Sequence, residues 1–268
     1  MLIYLNEKQL NVDNHLHLYE LRNTYQANAD LLIVNGYPVN TDQVLISGDH
    51  IIMIQRGEFP SAEELESLMM ARHTPGVQKK IKQGRIGIAG AGGLGSHVAI
   101  ALVRIGIGQL DIADFDVVEP SNLNRQQYFI DQIGMPKVIA LKENLRRINP
   151  ASKINIFNQK VVPENIAEFF GDVDILVEAF DTAEQKALLT NHFLRNFPDK
   201  FLVAASGIAG HESSNTIRTT RVTEKFYLCG DGVSAAEPGR GLMAPRVGIA
   251  AHHQANTVLQ LLLNNTAE

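Results

Sequence analysis

The first chemistry visible in the chain is a turn of glycines. Gly90-Ala91-Gly92-Gly93-Leu94-Gly95-Ser96 contains G-x-G-x-x-G, follows the apolar run Arg85-Ile86-Gly87-Ile88-Ala89 and opens a helical stretch. Glycines at such spacing permit a tight turn and let the backbone approach a phosphate. The N–H groups that open the next helix, carrying about half a positive charge, then face that phosphate. Asp114 lies 24 residues after Gly90, at the end of the next apolar run. A carboxylate there can accept hydrogen bonds from ribose hydroxyls. These residues read as a nucleotide site, with a ligand-free glycine turn as the plain alternative. The motif alone leaves a dinucleotide and ATP both open.

Bringing such groups to one edge requires strands that alternate with helices. From Arg85 the chain does alternate. Strand-like runs end in Ala89 and Asp114, and others span Ile154–Phe157, Val173–Ala179 and Phe201–Ala205. Helical patterns cover His97–Ile105 and Lys137–Ile148, the second ended by Asn149-Pro150. This alternation predicts an α/β unit, a Rossmann-like, mainly parallel sheet with helices on both faces. The Thr- and Val-rich stretch Asn215–Leu228 reads as antiparallel strands.

The first 57 residues differ. Leu2–Leu5, Gln9–Val12, Leu31–Val34 and Ile51–Ile54 are strand-like, Leu18, Leu21 and Tyr25 fall at helical spacing, and Asn35-Gly36 is a strong turn signal. The order β, β, α, β, β resembles a β-grasp, ubiquitin-like domain. The expected division is a β-grasp unit at 1–57, a helical connector at 58–82 and an α/β unit at 83–268. In the connector, Ser61 reads as an N-cap with Glu64 three residues on, and Leu65, Leu68 and Met69 form an apolar stripe.

The segment after Asp114 narrows the ligand. Asp114-Phe115-Asp116-Val117-Val118-Glu119-Pro120-Ser121-Asn122-Leu123-Asn124-Arg125-Gln126 carries S-N-L-x-R-Q behind D-x-D. It closely resembles the ThiF/MoeB/HesA family, bacterial relatives of the ubiquitin-activating enzymes. Gly134-Met135-Pro136-Lys137, Val177-Glu178-Ala179-Phe180-Asp181 and Gly241-Leu242-Met243-Ala244-Pro245 match in the same order, and the likeness runs over about residues 77–265. It is greatest to the ThiF-type adenylyltransferases of sulfur carriers, and residues 1–57 resemble the sulfur carrier ThiS.

The resemblance implies ATP-dependent adenylation of the C-terminal glycine of a small β-grasp sulfur carrier ending in Gly-Gly, with release of pyrophosphate. ThiS is the expected carrier, which implies a place in thiamine thiazole synthesis; a molybdopterin carrier, a cysteine-synthesis carrier, a peptide or a tRNA base are the alternative substrates. Arg125 and Lys137 are the implied cations, and Asp181 the acid that organises Mg²⁺ and the triphosphate. Gly90, Gly92, Gly93, Leu94 and Gly95 are the implied phosphate turn. Asp114, Asp116, Asn122 and Gln126 are implied ribose or phosphate contacts. The residue types suit this chemistry independently. An anion must approach an anionic triphosphate, so cations and oriented N–H donors have to offset the repulsion. Arg supplies planar multidentate contacts and Lys a movable point charge. Each residue also has a plain reading. Loop cations are usually solvated, Asp181 sits where it can cap a helix starting near Thr182, and Asp116 can be structural.

Some positions depart from the family. Many members hold zinc with two C-x-x-C pairs, but this chain has one cysteine, Cys229, so no zinc site and no internal disulfide are expected. Some members use a cysteine as a covalent acceptor. Cys229 is the sole candidate, and its plain reading is a buried small apolar residue. Members also borrow an arginine from a partner subunit, for which Arg72 is the nearest candidate in an implied homodimer. The ThiS-like unit continues past Gly57 into the connector, so its glycine carbonyl is an internal amide and no nucleophile. A docking, regulatory or stabilising role is expected for it instead. His252 and His253 read as packing or surface histidines, and Val258, Leu261 and Leu262 as core or dimer packing.

Composition sets outer limits. The net charge is −5, with 45% hydrophobic residues. This is globular composition without the basic footprint of a general nucleic-acid binder. No apolar run approaches the roughly 18 residues of a membrane span, and no signal peptide is visible, so a cytoplasmic protein without membrane or nucleic-acid partners is expected. Two rivals remain: a nicotinamide dehydrogenase, supported by the glycine motif alone, and a non-catalytic ATP-binding scaffold.

Overall fold

The computed structural model describes residues 1–6, 8–57 and 76–264. The connector features expected at Ser61–Met69, and Arg72, lie outside the described residues. The chain separates into two compact units, Met1–Lys79 and Lys80–Glu268.

The first unit contains β1 (Leu2–Leu5), β2 (Lys8–Asn11), α1 (Leu18–Tyr25), β3 (Leu31–Val34), β4 (Tyr37–Val39) and β5 (His50–Ile54). Its sheet order is β2-β1-β5-β3-β4. β1 and β5 are parallel, and the remaining neighbours are antiparallel. This is a ubiquitin-like β-grasp. Leu18 and Leu21 of α1 bury one face against Ile3, Leu45, Ile51 and Met53. Asn35 (φ 52°) and Gly36 (φ 88°) form the left-handed turn between β3 and β4. The sequence pattern missed β4. It is three residues long with Pro38 at its centre, and an edge strand tolerates a proline because no further neighbour needs its N–H.

The second unit begins with α2 (Val77–Gln83), which starts at the end of the first. There follow β6 (Arg85–Ala89), α3 (Gly93–Arg104), β7 (Gln109–Ala113), α4 (Lys137–Ile148), β8 (Lys153–Phe157), α5 (Pro163–Phe170), β9 (Ile175–Glu178), α6 (Ala183–Asn196), β10 (Phe201–Ala205), β11 (Arg218–Arg221), β12 (Phe226–Gly230) and α7 (Ala244–Asn264). The sheet order is β11-β12-β10-β9-β6-β7-β8. This is a doubly wound, Rossmann-like sheet. Every residue of β9 is buried, as a strand covered on both faces requires.

The chain first builds outward from β6 to β7 and β8, then returns to place β9 on the other side of β6. That reversal opens a crevice at the carboxyl ends of the strands, where such sheets bind ligands. The antiparallel strands expected at Asn215–Leu228 are β11 and β12. β12 also runs parallel to β10, pairing Leu202 with Phe226. The chain after β10 crosses to the far edge before turning back, so only the last pair is a hairpin. His252 and His253 lie on α7, with His253 Nδ1 3.1 Å from Thr219 Oγ1, while Val258 and Leu261 are core residues. No described helix is long and apolar enough to cross a membrane.

Candidate nucleotide site

The glycine turn joins β6 to α3. Gly90 has φ 102°, and a Cβ there would lie 2.7 Å from Ala179 O at the end of β9. A Cβ on Gly95 would lie 1.9 Å from Gly90 O, so α3 can seat against its own turn only with glycine at that position. The turn is held from two sides. Asp114 Oδ2 accepts from Ala91 N at 2.6 Å and Oδ1 from Asp116 N at 2.8 Å. The Tyr128 hydroxyl donates to Ala91 O at 2.6 Å. Burial raises the Asp114 carboxyl above its ordinary range, partly opposed by those two amides. The Tyr128 phenol is pushed well above its usual value by burial and by the nearby Asp114 and Asp116.

These groups border one cleft of about 1030 Å³, lined by Gly90, Gly92, Gly93, Leu94, Asp114, Asp116, Asn122, Arg125, Gln126, Lys137 and Asp181. Gly95 stands behind the lining, packed on Gly90. Residues spread over ninety positions of sequence therefore meet at the crevice that the strand order creates.

The cations differ in setting. Lys137 opens α4 with its side chain 8% exposed, and Nζ meets Asp116 Oδ2 at 2.8 Å. Its backbone N–H also donates to Asp116 O at 2.9 Å. An ammonium carries three donors, so one contact to Asp116 leaves capacity for a phosphate. Asp116 thus acts here as a tether for Lys137. Arg125 is half-buried, and its Nη1 donates to Ser121 O at 3.1 Å and to Asn124 Oδ1 at 2.9 Å. The same loop is anchored by Gln127 N donating to the buried Ser96 Oγ at 3.1 Å and by Asn124 Nδ2 donating to Leu242 O at 3.1 Å.

Asn122 is turned inward, accepting from Glu119 N at 3.1 Å to cap its own short helical turn. Gln126 is buried, and its Oε1 has no hydrogen-bond partner. A buried amide oxygen without a donor is costly. Asp181 stands exposed between β9 and α6. The helix-capping reading does not hold for it, because Thr182 is the N-cap and accepts from Gln185 N at 3.4 Å.

Cys229 sits fully buried in β12 between Thr219 and Thr257, and burial pushes its thiol up. A thiol in that state is inert, which supports its reading as a packing residue. Sequence reasoning missed three participants. Tyr128, two residues past the S-N-L-x-R-Q string, braces the glycine turn. Lys186 lines the cleft and donates to Glu178 and Ala205 O. Asp231 organises the opposite wall, where its Oδ1 accepts from Val233 N and Ser234 N at 2.9 and 2.8 Å. No local signal marks the last two.

The fold and site define a class: a doubly wound α/β unit with a glycine turn bordering its cleft, following a ubiquitin-like unit in the chain. The ThiF family model matches residues 65–268, and a ThiS-like ubiquitin model matches residues 1–57. The chain belongs to the ThiF family. It is 31% identical over 205 residues to the adenylyltransferase and sulfurtransferase UBA4 of Candida glabrata, covering 73% of this chain and 46% of that protein. It is 41% identical over 120 residues to the sulfur carrier protein ThiS adenylyltransferase of Bacillus subtilis, 44% of this chain and 36% of that protein. A third relative is the tRNA threonylcarbamoyladenosine dehydratase of Haemophilus influenzae, 34% identical over 146 residues, 54% of this chain and 55% of that enzyme. The chain thus spans about half, or less, of the length of these curated relatives. Among solved structures, the ATP complex of the Escherichia coli dehydratase superposes with a TM-score of 0.68 at 22% identity, covering 78% of this chain and 98% of that one.

Proposed function

We propose that this protein is an ATP-dependent adenylyltransferase acting on the C-terminal glycine of a small ubiquitin-like sulfur carrier, with ThiS the first candidate. The observation that carries this reading is the meeting of the glycine turn, Asp114, Arg125, Lys137 and Asp181 around one cleft. Family membership adds to it, and the curated relatives named as adenylyltransferases point the same way.

In this reading the glycine turn and the first N–H groups of α3 receive phosphate oxygens, and Asp114 receives the ribose hydroxyls on its remaining lone pairs. Asp181 is the residue that would hold Mg²⁺, which when bound neutralises triphosphate charge. Arg125 and Lys137 offset the repulsion as the carrier carboxylate approaches. The carboxylate oxygen bonds to the α-phosphorus, the bond to the β-phosphate oxygen breaks, and pyrophosphate leaves with the electron pair. Homodimerisation, with Arg72 reaching a neighbouring site, belongs to the same proposal. So does a docking or stabilising role for residues 1–57, whose internal glycine cannot attack ATP.

ATP–pyrophosphate exchange with purified carriers tests it. Exchange that depends on a Gly-Gly carrier supports the reading, and ATP binding without exchange in the presence of any carrier overturns it. The likeness to tRNA threonylcarbamoyladenosine dehydratases favours a second reading, activation of a group on a tRNA base. It predicts ATP turnover that requires tRNA and ignores carriers. The net charge of −5 weighs against that reading, since RNA binding draws on basic surface.

A further inference from the structure

Among the described residues Asp181 has no partner that sets its direction, yet the turn carrying it is closely fixed. The nine residues from Glu178 to Lys186 form a loop closed by an ion pair. Lys186 Nζ donates to Glu178 Oε2 at 2.9 Å and Oε1 at 3.1 Å, and to Ala205 O at 3.0 Å. All three ammonium protons are thereby used. Glu178 is 1% exposed, and its Oε1 also accepts from Phe180 N at 2.7 Å, fixing the Ala179–Phe180 peptide. From behind, buried Gln254 on α7 donates to Glu178 O at 2.9 Å and to Val203 O at 3.3 Å. Ala205 ends β10, and the chain beyond it, Ser206 to Ala209, walls the other side of the cleft.

A buried carboxylate at the end of a strand is expensive unless paired, and hydrophobic residues would fill the space at lower cost. The charges therefore need a reason. We propose that the Glu178–Lys186 pair positions Asp181: it ties the β9–α6 turn to the end of β10, so that the Asp181 carboxylate stands where ATP and its cation are received. Lys186 lines the cleft but is not a phosphate ligand, because its protons are spent on Glu178 and Ala205. Burial raises the Glu178 carboxyl while Lys186 opposes the rise. The proposal rests on the ATP site described above.

A double-mutant cycle on the full chain tests it, read as ATP affinity by calorimetry with and without Mg²⁺, beside Tm. Lys186→Met and Asp181→Asn should each weaken the Mg²⁺-dependent part of ATP binding by about 10- to 100-fold. The double variant should be no worse than the weaker single, because both changes remove one function. Lys186→Arg, which keeps the charge, should restore most of the loss. Losses that multiply in the double variant overturn the proposal. So does a Lys186→Met protein that has lost Tm and Mg²⁺-free binding alike while its Mg²⁺ dependence is unchanged. Should Lys186→Met fail to fold, Glu178→Gln with Lys186→Gln enters the same cycle with the same outcomes, since it strands neither charge. A wild-type chain that binds MgATP but exchanges no pyrophosphate with any carrier sinks the adenylation reading and leaves the cycle readable. One that binds no ATP overturns both.

Discussion

At the glycine end of the cleft, the fixing contacts are backbone groups meeting buried side-chain oxygens: Ala91 N and Asp116 N on Asp114, and Ala91 O on Tyr128. The opposite wall, the segments after β10 and before α7, is fixed by charged side chains instead. Arg246, 3% exposed, donates to Asp231 Oδ2 at 2.6 Å, to Thr216 Oγ1 at 3.0 Å and to the carbonyls of Glu212 and Ser213 at 3.2 Å. Arg240 reaches Glu212 through Nε at 2.7 Å. The glycine end thus has a shape set by steric limits and short-range hydrogen bonds. The other end is a long excursion of chain pinned by ion pairs. Such pins are strong when buried and weak when exposed, so the far wall should be the easier of the two to disturb by single charge changes and by salt.

The largest effect is expected from Arg246→Met, which strands Asp231 without its buried partner. Unfolding free energy from urea titration should fall by about 3–5 kcal/mol; an unchanged midpoint would show that the far wall does not depend on its charges. Gly95→Ala tests the other end. Its Cβ would meet backbone, which cannot swing aside, so a loss of about 1–3 kcal/mol is expected, with a parallel fall in ATP affinity measured by calorimetry. Tyr128→Phe removes the hydroxyl from Ala91 O and should cost about 1 kcal/mol, again with weaker ATP binding.

Acid titration separates the ends by sign. Burial pulls Asp231 up, but Ser234, Val233 and Arg246 outweigh it and hold its carboxyl at about 2. Its stabilisation is therefore present above the ordinary Asp value of about 3.9 and lost as pH falls toward 2. Asp114 is raised, so its ionisation costs stability that acidification returns. Asp231→Asn should flatten the acid-side loss in a pH series of urea midpoints, and Asp114→Asn should steepen it; equal slopes in both variants would contradict the comparison. The smallest change belongs to Arg240→Gln. Arg240 is 38% exposed, and its loss should shift the urea midpoint least of all, a difference that vanishes at high salt.

The same contrast explains what was readable in one dimension. The glycine turn, Asp114 and the Arg125 loop are local: strand, turn and helix follow each other within forty residues, and residue type and spacing carry their roles. The strands β6 to β10 and the helices α3 and α4 were legible because hydrophobic period and turn residues agree there. β4 was not, because three residues with a central proline leave no period to detect. The direction of β12 was not either, since apolar alternation is the same in parallel and antiparallel neighbours. Asp116 stands out by its motif, but only the tertiary structure brings it to Lys137.

What the sequence by itself determined is the inventory: a β-grasp unit, an alternating α/β unit, a phosphate turn and a set of acids and cations in family order. Tertiary structure alone decided which of them share a cleft and which are spoken for. Lys186 meets Glu178 and Ala205, and Arg246 meets Asp231, across separations of eight, nineteen and fifteen positions. Such pairings leave no local mark, because a charge is identical in the sequence whether it faces water or a buried partner. Packing sets its surroundings, and the surroundings set its role.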